Sequence, residues 1–466
     1  MVFSSILFLF TFLPVALGLY YIAPKQIKNT VLLLVSLLFY AWGEPVYVFL
    51  MIFTIVFDYS IGIVMENKSA IIRKRLFILT VTANLGVLFF FKYWGFLIET
   101  INQLFNLGIS YTALPLPIGI SFYTFHILSY FIDVYLKKVP VQKNIISFGL
   151  YITMFPQLMA GPIIRYPNIY QQLSERTVTQ DQFGLGVERF IQGLGKKVLI
   201  ANNIGYVWTM VQAMEITQIS VLTAWIGILA FSFQIYFDFS GYSDMAIGLA
   251  KMFGFEFPEN FNYPYLSKNV SDFWRRWHIS LGMWFREYLY IPLGGNRVAL
   301  PRFFINLCIV WFLTGLWHGA SWNFVVWGLY YGLLLFIEKV FLKSLLEKIP
   351  AFLQHFYALI FIVIGWVFFA SPDLGYALHY LSVLFFTAGA PLIDTTGLYY
   401  LYTNFVLFVI CGVCATPVIH TLYDKLLHSE KKGVVPTALG LNGIIMFLSI
   451  AYLVTETYNP FLYFRF

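Results

Sequence analysis

Nine runs of roughly twenty residues, at about 3–23, 45–64, 76–96, 115–136, 219–240, 321–342, 354–370, 399–420 and 438–456, carry almost no charged side chain. A helix rises ~1.5 Å per residue and the hydrocarbon core of a bilayer is ~30 Å deep, so each run is long enough to cross. Shorter apolar pieces near 29–42, 145–160, 183–211, 242–254, 303–320 and 376–388 read as spans or half-spans. The expectation is an all-α polytopic membrane protein with about eleven transmembrane helices, plus re-entrant and interfacial helices that do not cross. Composition agrees, with 60% of residues hydrophobic and 11% charged. No stretch is polar enough to form a soluble domain, which predicts one integral-membrane domain over 1–466. The first 25 residues lack the basic flank and small-residue cleavage site of a signal peptide and read as a retained first span.

Basic residues exceed acidic ones, 29 to 22, and they sit in short clusters between the apolar runs. Lys25 and Lys28, then Lys68, Arg73, Lys74 and Arg75, then Lys137, Lys138 and Lys143 all fall on one side if residue 1 lies outside. Cytoplasmic loops carry such an excess, which predicts an external N-terminus. Basic residues spread in this way meet lipid headgroups and argue against a nucleic-acid partner. Cys411 and Cys414 form a CxxC inside a hydrophobic run, where small interior residues are a simpler reading than a redox or zinc pair, so no disulfide and no metal site is expected. There is no GxSxG, GxxxxGK[ST] or HExxH motif, which leaves nucleotide hydrolysis, serine catalysis and zinc-dependent hydrolysis unsupported. The absence of an internal repeat weakens the case for an inverted-repeat transporter. Pro and Gly interrupt the apolar pattern at 42–45, 114–120 and 154–167, where protein or water must satisfy the irregular backbone.

Polar chemistry concentrates in two stretches, SDFWRRWHISLGMWFREYLYIPLGGNR at 271–297 and TGLWHGASW at 314–322. The segment 255–302 holds six cations (Lys268, Arg275, Arg276, Arg286, Arg297, Arg302) against Glu256, Glu259, Asp272 and Glu287, and so belongs on the cytoplasmic side. Its aromatics, Trp274, Trp277, Trp284, Phe285, Tyr288 and Tyr290, fit interfacial helices with rings at headgroup depth. His318 ends an apolar run between Trp317 and Gly319-Ala320-Ser321. It is either a core histidine bonded to a neighbouring carbonyl or a proton-transfer group. The cost of an ionisable group at membrane depth, and the fitness of imidazole for moving a proton near neutral pH, favour the second. His278 follows Trp274, Arg275, Arg276 and Trp277; function is favoured for it over helix anchoring, while the two arginines suit lipid headgroups and donor phosphates equally. His126 reads as an interhelical hydrogen-bond residue, and Asp238 and Asp244 as buried structural carboxylates. His355, His379, His420 and His428 lie near helix ends, where interfacial placement explains them.

The segments PIGISFYTFHILSYFIDVY (117–135), MAGPIIRY (159–166), FDFSGYSDMAIGLAKMFGF (237–255), the run 259–297 and TGLWHGASWNFVVWG (314–328), with the ending NPFLYFRF, together resemble the membrane-bound O-acyltransferase (MBOAT) family. Within it they are similar to the bacterial branch typified by the membrane subunit of alginate O-acetylation. The resemblance implies a helical shell hollowed from both sides, with the family's near-invariant histidine at His318 and a second, more variable polar position at His278. It implies transfer of an acyl group from a cytoplasmic thioester to a hydroxyl acceptor. The expected reaction moves acetyl groups from acetyl-CoA toward a secreted or cell-wall polysaccharide, in the bacterial cytoplasmic membrane. His318 is then a general base or transient acyl carrier, and His278 orients the thioester or assists proton transfer. Arg275, Arg276 and Arg297 meet the donor's phosphates, and Trp317 lines the substrate site. No tightly bound cofactor is expected, and a secreted or anchored acetyltransferase or esterase-like protein is the expected partner. Two rivals remain open: D-alanyl transfer from a carrier-protein phosphopantetheine thioester to a wall polymer, and non-catalytic polysaccharide export, which alone survives loss of both histidines.

Overall fold

The computed structural model describes residues 1–112, 114–427, 434–456 and 458; His428 and the ending 459–466 lie outside the described residues. Among the described residues the secondary structure is helical throughout. Eight helices are long and apolar enough to cross a bilayer: Tyr47–Glu66, Ala70–Phe105, Val221–Met252, Leu300–His318, Trp322–Leu346, Ala351–Ala370, Thr395–Cys414 and Pro436–Thr455. Phe8–Ile22 and Leu374–Leu384 are shorter apolar helices. This is a multi-pass membrane protein.

Several boundaries differ from the sequence reading, each for a local reason. The runs at 219–240 and 242–254 are one helix of 32 residues, Val221–Met252. Gly241 does not break it; the glycine instead allows close approach, since an added Cβ would stand 2.8 Å from the carbonyl oxygen of Gly193. The piece at 303–320 is a full span, Leu300–His318. The run at 115–136 becomes helical only from Ile120, because Gly119 takes φ +76 and lies against the backbone of Leu158, where an added Cβ would sit 2.5 Å from the carbonyl oxygen. The region 145–160 divides into Ile145–Thr153 and Phe155–Leu158, with Pro156 in the first turn of the second helix.

The chain groups into two compact units, Met1–Phe190 with Ser243–Pro258, and Ile191–Tyr242 with Glu259–Phe466. In the first, Phe3, Phe8, Phe39 and Phe155 pack as a buried aromatic cluster. Arg176 gathers the Tyr20 hydroxyl (3.0 Å), the Phe253 carbonyl (3.1 Å) and the Asn29 amide oxygen (2.7 Å). The irregular backbone after Pro117 is met by protein: Glu44, from the WGEP break, accepts from the Ile118 N–H at 3.1 Å. Asp244 pairs with Arg189 at 2.6 Å. In the second unit Asp238 pairs with Lys197 at 2.6 Å, both side chains buried, which gives this carboxylate the structural role expected of it. The same unit contains a tight hairpin, Leu300–His318 against Trp322–Ile337. Gly315 and Gly328 face each other there, and an added Cβ on Gly328 would lie 3.2 Å from the Gly315 Cα while striking the carbonyl oxygen of Trp311.

Candidate active site

The segment around His278 is two short helices, Val270–Arg276 and Ile279–Phe285, hinged at Trp277 and His278. Asn269 begins the first by accepting from the Asp272 N–H at 2.7 Å. At the hinge His278 takes φ +45 and ψ 53, a left-handed conformation that costs a non-glycine residue about 1 kcal/mol or more. Asn260 holds the hinge in place. Its carbonyl accepts from the Ile279 N–H (3.0 Å), and its side-chain oxygen accepts from the Ser280 N–H (3.2 Å) and hydroxyl (2.9 Å).

His278 is 2% exposed, with its ring 4.6 Å from Phe239 and 5.9 Å from Trp317 between centroids. Burial pushes this imidazole down to about 3, because desolvation penalises the protonated form, and so keeps the ring neutral over the physiological range. His318 is the last residue of its helix and is 3% exposed. Its ring lies 5.0 Å from Trp317, 5.0 Å from Trp327 and 5.3 Å from Phe369. The hairpin fixes this position: Gly319 admits the Phe324 ring against its Cα, and a Cβ there would overlap that ring. Trp317 therefore touches both histidines, which lie no further apart than the sum of its two centroid distances.

His278 faces a cavity of about 430 Å³ whose wall is mostly apolar, including Trp274, Trp277, Leu281, Phe285 and Trp311, with Thr314 one turn before His318. His318 itself is not part of that wall. A second cavity of about 600 Å³ shares Ser271, Arg275, Tyr290, Leu307 and Leu335 with the first. Lys268, Arg275, Lys339 and Lys343 line it, together with Asp272, Glu338 and Glu347.

The three arginines part company here. Arg275 lines both cavities, whereas Arg276 pairs with Asp272 at 3.1 Å and donates to the Asn262 carbonyl at 3.2 Å. Arg297 is exposed and borders neither cavity. Lys339 and Lys343, which also line the second cavity, do not stand out in the sequence because they sit at the end of the apolar run 321–342 and just beyond it. Of the aromatics expected at headgroup depth, Trp277, Trp284 and Phe285 are buried, and Trp274 packs on Trp311, Trp327 and Tyr331, so these rings lie against protein. Composition suits an aromatic ring to either place, and here packing against neighbouring helices wins. His126 is structural: Nε2 accepts from the Ile164 N–H at 3.3 Å, and its carbonyl accepts from Ser129 and Tyr151. Among the described residues no group of three metal-ligating side chains converges, and Cys308, Cys411 and Cys414 are free thiols.

Residues 136–374, which include both histidines and both cavities, match the model of the membrane-bound O-acyltransferase family. A probable alginate O-acetylase of Azotobacter vinelandii is 37% identical over the full length of both chains. The chain belongs to the membrane-bound O-acyltransferase family. It is an acyltransferase and a multi-pass membrane protein. A peptidoglycan O-acetyltransferase of Helicobacter pylori is 35% identical over 82% of this chain and 79% of its own. A teichoic acid D-alanyltransferase of Bacillus subtilis is 29% identical over 48% of this chain and 60% of its own.

Proposed function

We propose that this acyltransferase moves acetyl groups from a cytoplasmic thioester, acetyl-CoA, onto hydroxyls of a secreted or cell-wall polysaccharide. One observation carries the reading: two buried histidines share a tryptophan beside an apolar cavity that adjoins a cation-bearing one. The full-length similarity to an alginate O-acetylase and the broad similarity to a peptidoglycan O-acetyltransferase support acetyl as the group transferred. The D-alanyl rival rests on similarity covering half of the chain. In the proposed step a hydroxyl oxygen of the acceptor attacks the thioester carbonyl while His318 takes the hydroxyl proton. The C–S bond breaks, the thiolate leaves and takes up a proton, and the products are the ester and the free thiol. His278, neutral at its strained hinge, orients the thioester or relays that proton. Arg275 meets a donor phosphate through charge-assisted hydrogen bonds.

Among the arginines, Arg275→Ala is expected to raise the KM for acetyl-CoA about tenfold or more, as loss of a hydrogen bond to a charged group does. Arg297→Ala is expected to leave it within about twofold. Initial rates of thiol release in inverted membrane vesicles measure both, and equal KM values for the two variants would remove Arg275 from the donor site.

The direction of transfer is tested by topology. From Arg302 to His318 the helix climbs about 24 Å, most of the ~30 Å hydrocarbon core if upright. His318 then lies beyond the midplane, with His278 beside it across Trp317, and the acceptor meets them from outside while the donor enters from the cytoplasm. Single cysteines at Arg302 and Ser321 in a cysteine-free background are expected to divide accordingly, with a membrane-impermeant external reagent reaching Ser321→Cys and never Arg302→Cys. External labelling of Arg302→Cys would invert the proposed direction. The polymer must be gripped outside the membrane, and an extracytoplasmic acetyltransferase or esterase-like partner completes the reaction.

A further inference from the structure

The sequence hides one carboxylate at the end of an apolar run. Glu338 follows the Trp322–Ile337 helix and opens a π-helical turn, Glu338–Leu342, yet it is only 4% exposed. Its oxygens accept three hydrogen bonds: from the Val270 N–H at 2.6 Å, the Ser271 N–H at 2.8 Å and the Ser271 hydroxyl at 2.6 Å. Those donors open the Val270–Arg276 helix, where backbone N–H groups have no acceptor inside the helix. A charged acceptor makes such bonds short and roughly twice as strong as neutral ones. The other end of the same seven-residue helix runs directly into Trp277 and His278, where Asn260 holds the hinge. Glu338 is also continuous with the helix whose Gly328 lies against Gly315, one turn before His318. A single carboxylate thus ties the segment bearing His278 to the hairpin bearing His318.

We infer that Glu338 is a positioning residue for acyl transfer. It fixes the height and rotation of Val270–Arg276, and through that helix the placement of His278 with respect to His318. The inference rests on the reading of His278 as part of the transfer machinery. Its own carboxylate is engaged by three donors and takes no proton from substrate.

The test is a mutant cycle of Glu338→Ala and His278→Ala, singly and together. The readout is the rate of acetyl incorporation into polymer per molecule of monodisperse, membrane-inserted protein, in cells fed labelled acetate. Glu338→Ala is expected to lower the rate roughly a hundredfold, the scale of an ångström-level misplacement of a reacting group. Glu338→Gln is expected to recover part of it, since a carboxamide oxygen can still accept from the Val270 N–H and its amide can donate to the Ser271 hydroxyl, while the Ser271 N–H loses its acceptor. In the His278→Ala background Glu338→Ala is expected to cost less than about threefold more, because its effect passes through the histidine. Full multiplication of the two losses, or a wild-type rate in Glu338→Ala, overturns the inference while leaving His278 in the machinery. A fully active His278→Ala protein overturns the reading of His278 itself, and the inference with it. If Glu338→Ala does not insert, Ser271→Ala replaces it in the same cycle, with a loss of about threefold expected alone and none added to His278→Ala.

Discussion

His318→Ala is expected to abolish polymer acetylation, lowering the rate by at least ~10²-fold, while the protein inserts and folds as the wild type does. The imidazole is enclosed by Trp317, Trp327 and Phe369, and its replacement by alanine opens a small void among these rings. The glycine contact of the hairpin and the Glu338 capping bonds are made by other residues. Expression, monodispersity in detergent and acetyl content of the polymer therefore have to be measured together. Near-normal acetylation by a normally expressed variant would sink the proposed role, and export without catalysis would regain ground.

The opposite pattern is expected of Gly328→Val, in which activity and protein disappear together. An added Cβ strikes the carbonyl oxygen of Trp311, and the facing Gly315 Cα is 3.2 Å away. Backbone cannot swing aside as a long side chain can. Overpacking of this kind costs about 1–3 kcal/mol for a single methyl group, and valine adds two further carbons to the same gap. Small residues are what allow two membrane helices to approach so closely. Size-exclusion profiles of detergent extracts are expected to show loss of the monodisperse peak. A monodisperse Gly328→Val protein with ordinary activity would mean that the hairpin tolerates separation of its helices.

These two variants also mark what the sequence could and could not disclose. The spans were legible because run length against bilayer thickness is a strong constraint. His318 stands out as a candidate because an ionisable side chain at the end of an apolar run contrasts with its surroundings. Gly328 and Glu338 do not. Gly328 looked like one more small residue in a helix, since close approach depends on a partner in another helix. Glu338 was absorbed into the end of a span, since its acceptor role involves donors 67 and 68 residues earlier. The packing of the aromatic segment is hidden in the sequence for a related reason. Where 60% of residues are hydrophobic, a helix has no clear polar face to tell its lipid side from its protein side. Arg275, Arg276 and Arg297 were equivalent as charges, and only the course of the backbone separates the one that borders the cavities from the one held by Asp272.

The wall of the cavity beside His278 is mostly apolar, with Trp274, Trp277 and Trp311 among its side chains. Such a wall gives water few partners, and an ordered water needs two or more. If the proposed thioester lodges there, it meets less of the commonest competing nucleophile, and hydrolysis is expected to be slow until an acceptor hydroxyl arrives. The aromatic wall would then serve economy in the cell as well as binding, since each acetyl group committed to the membrane reaches polymer instead of being lost as free acetate.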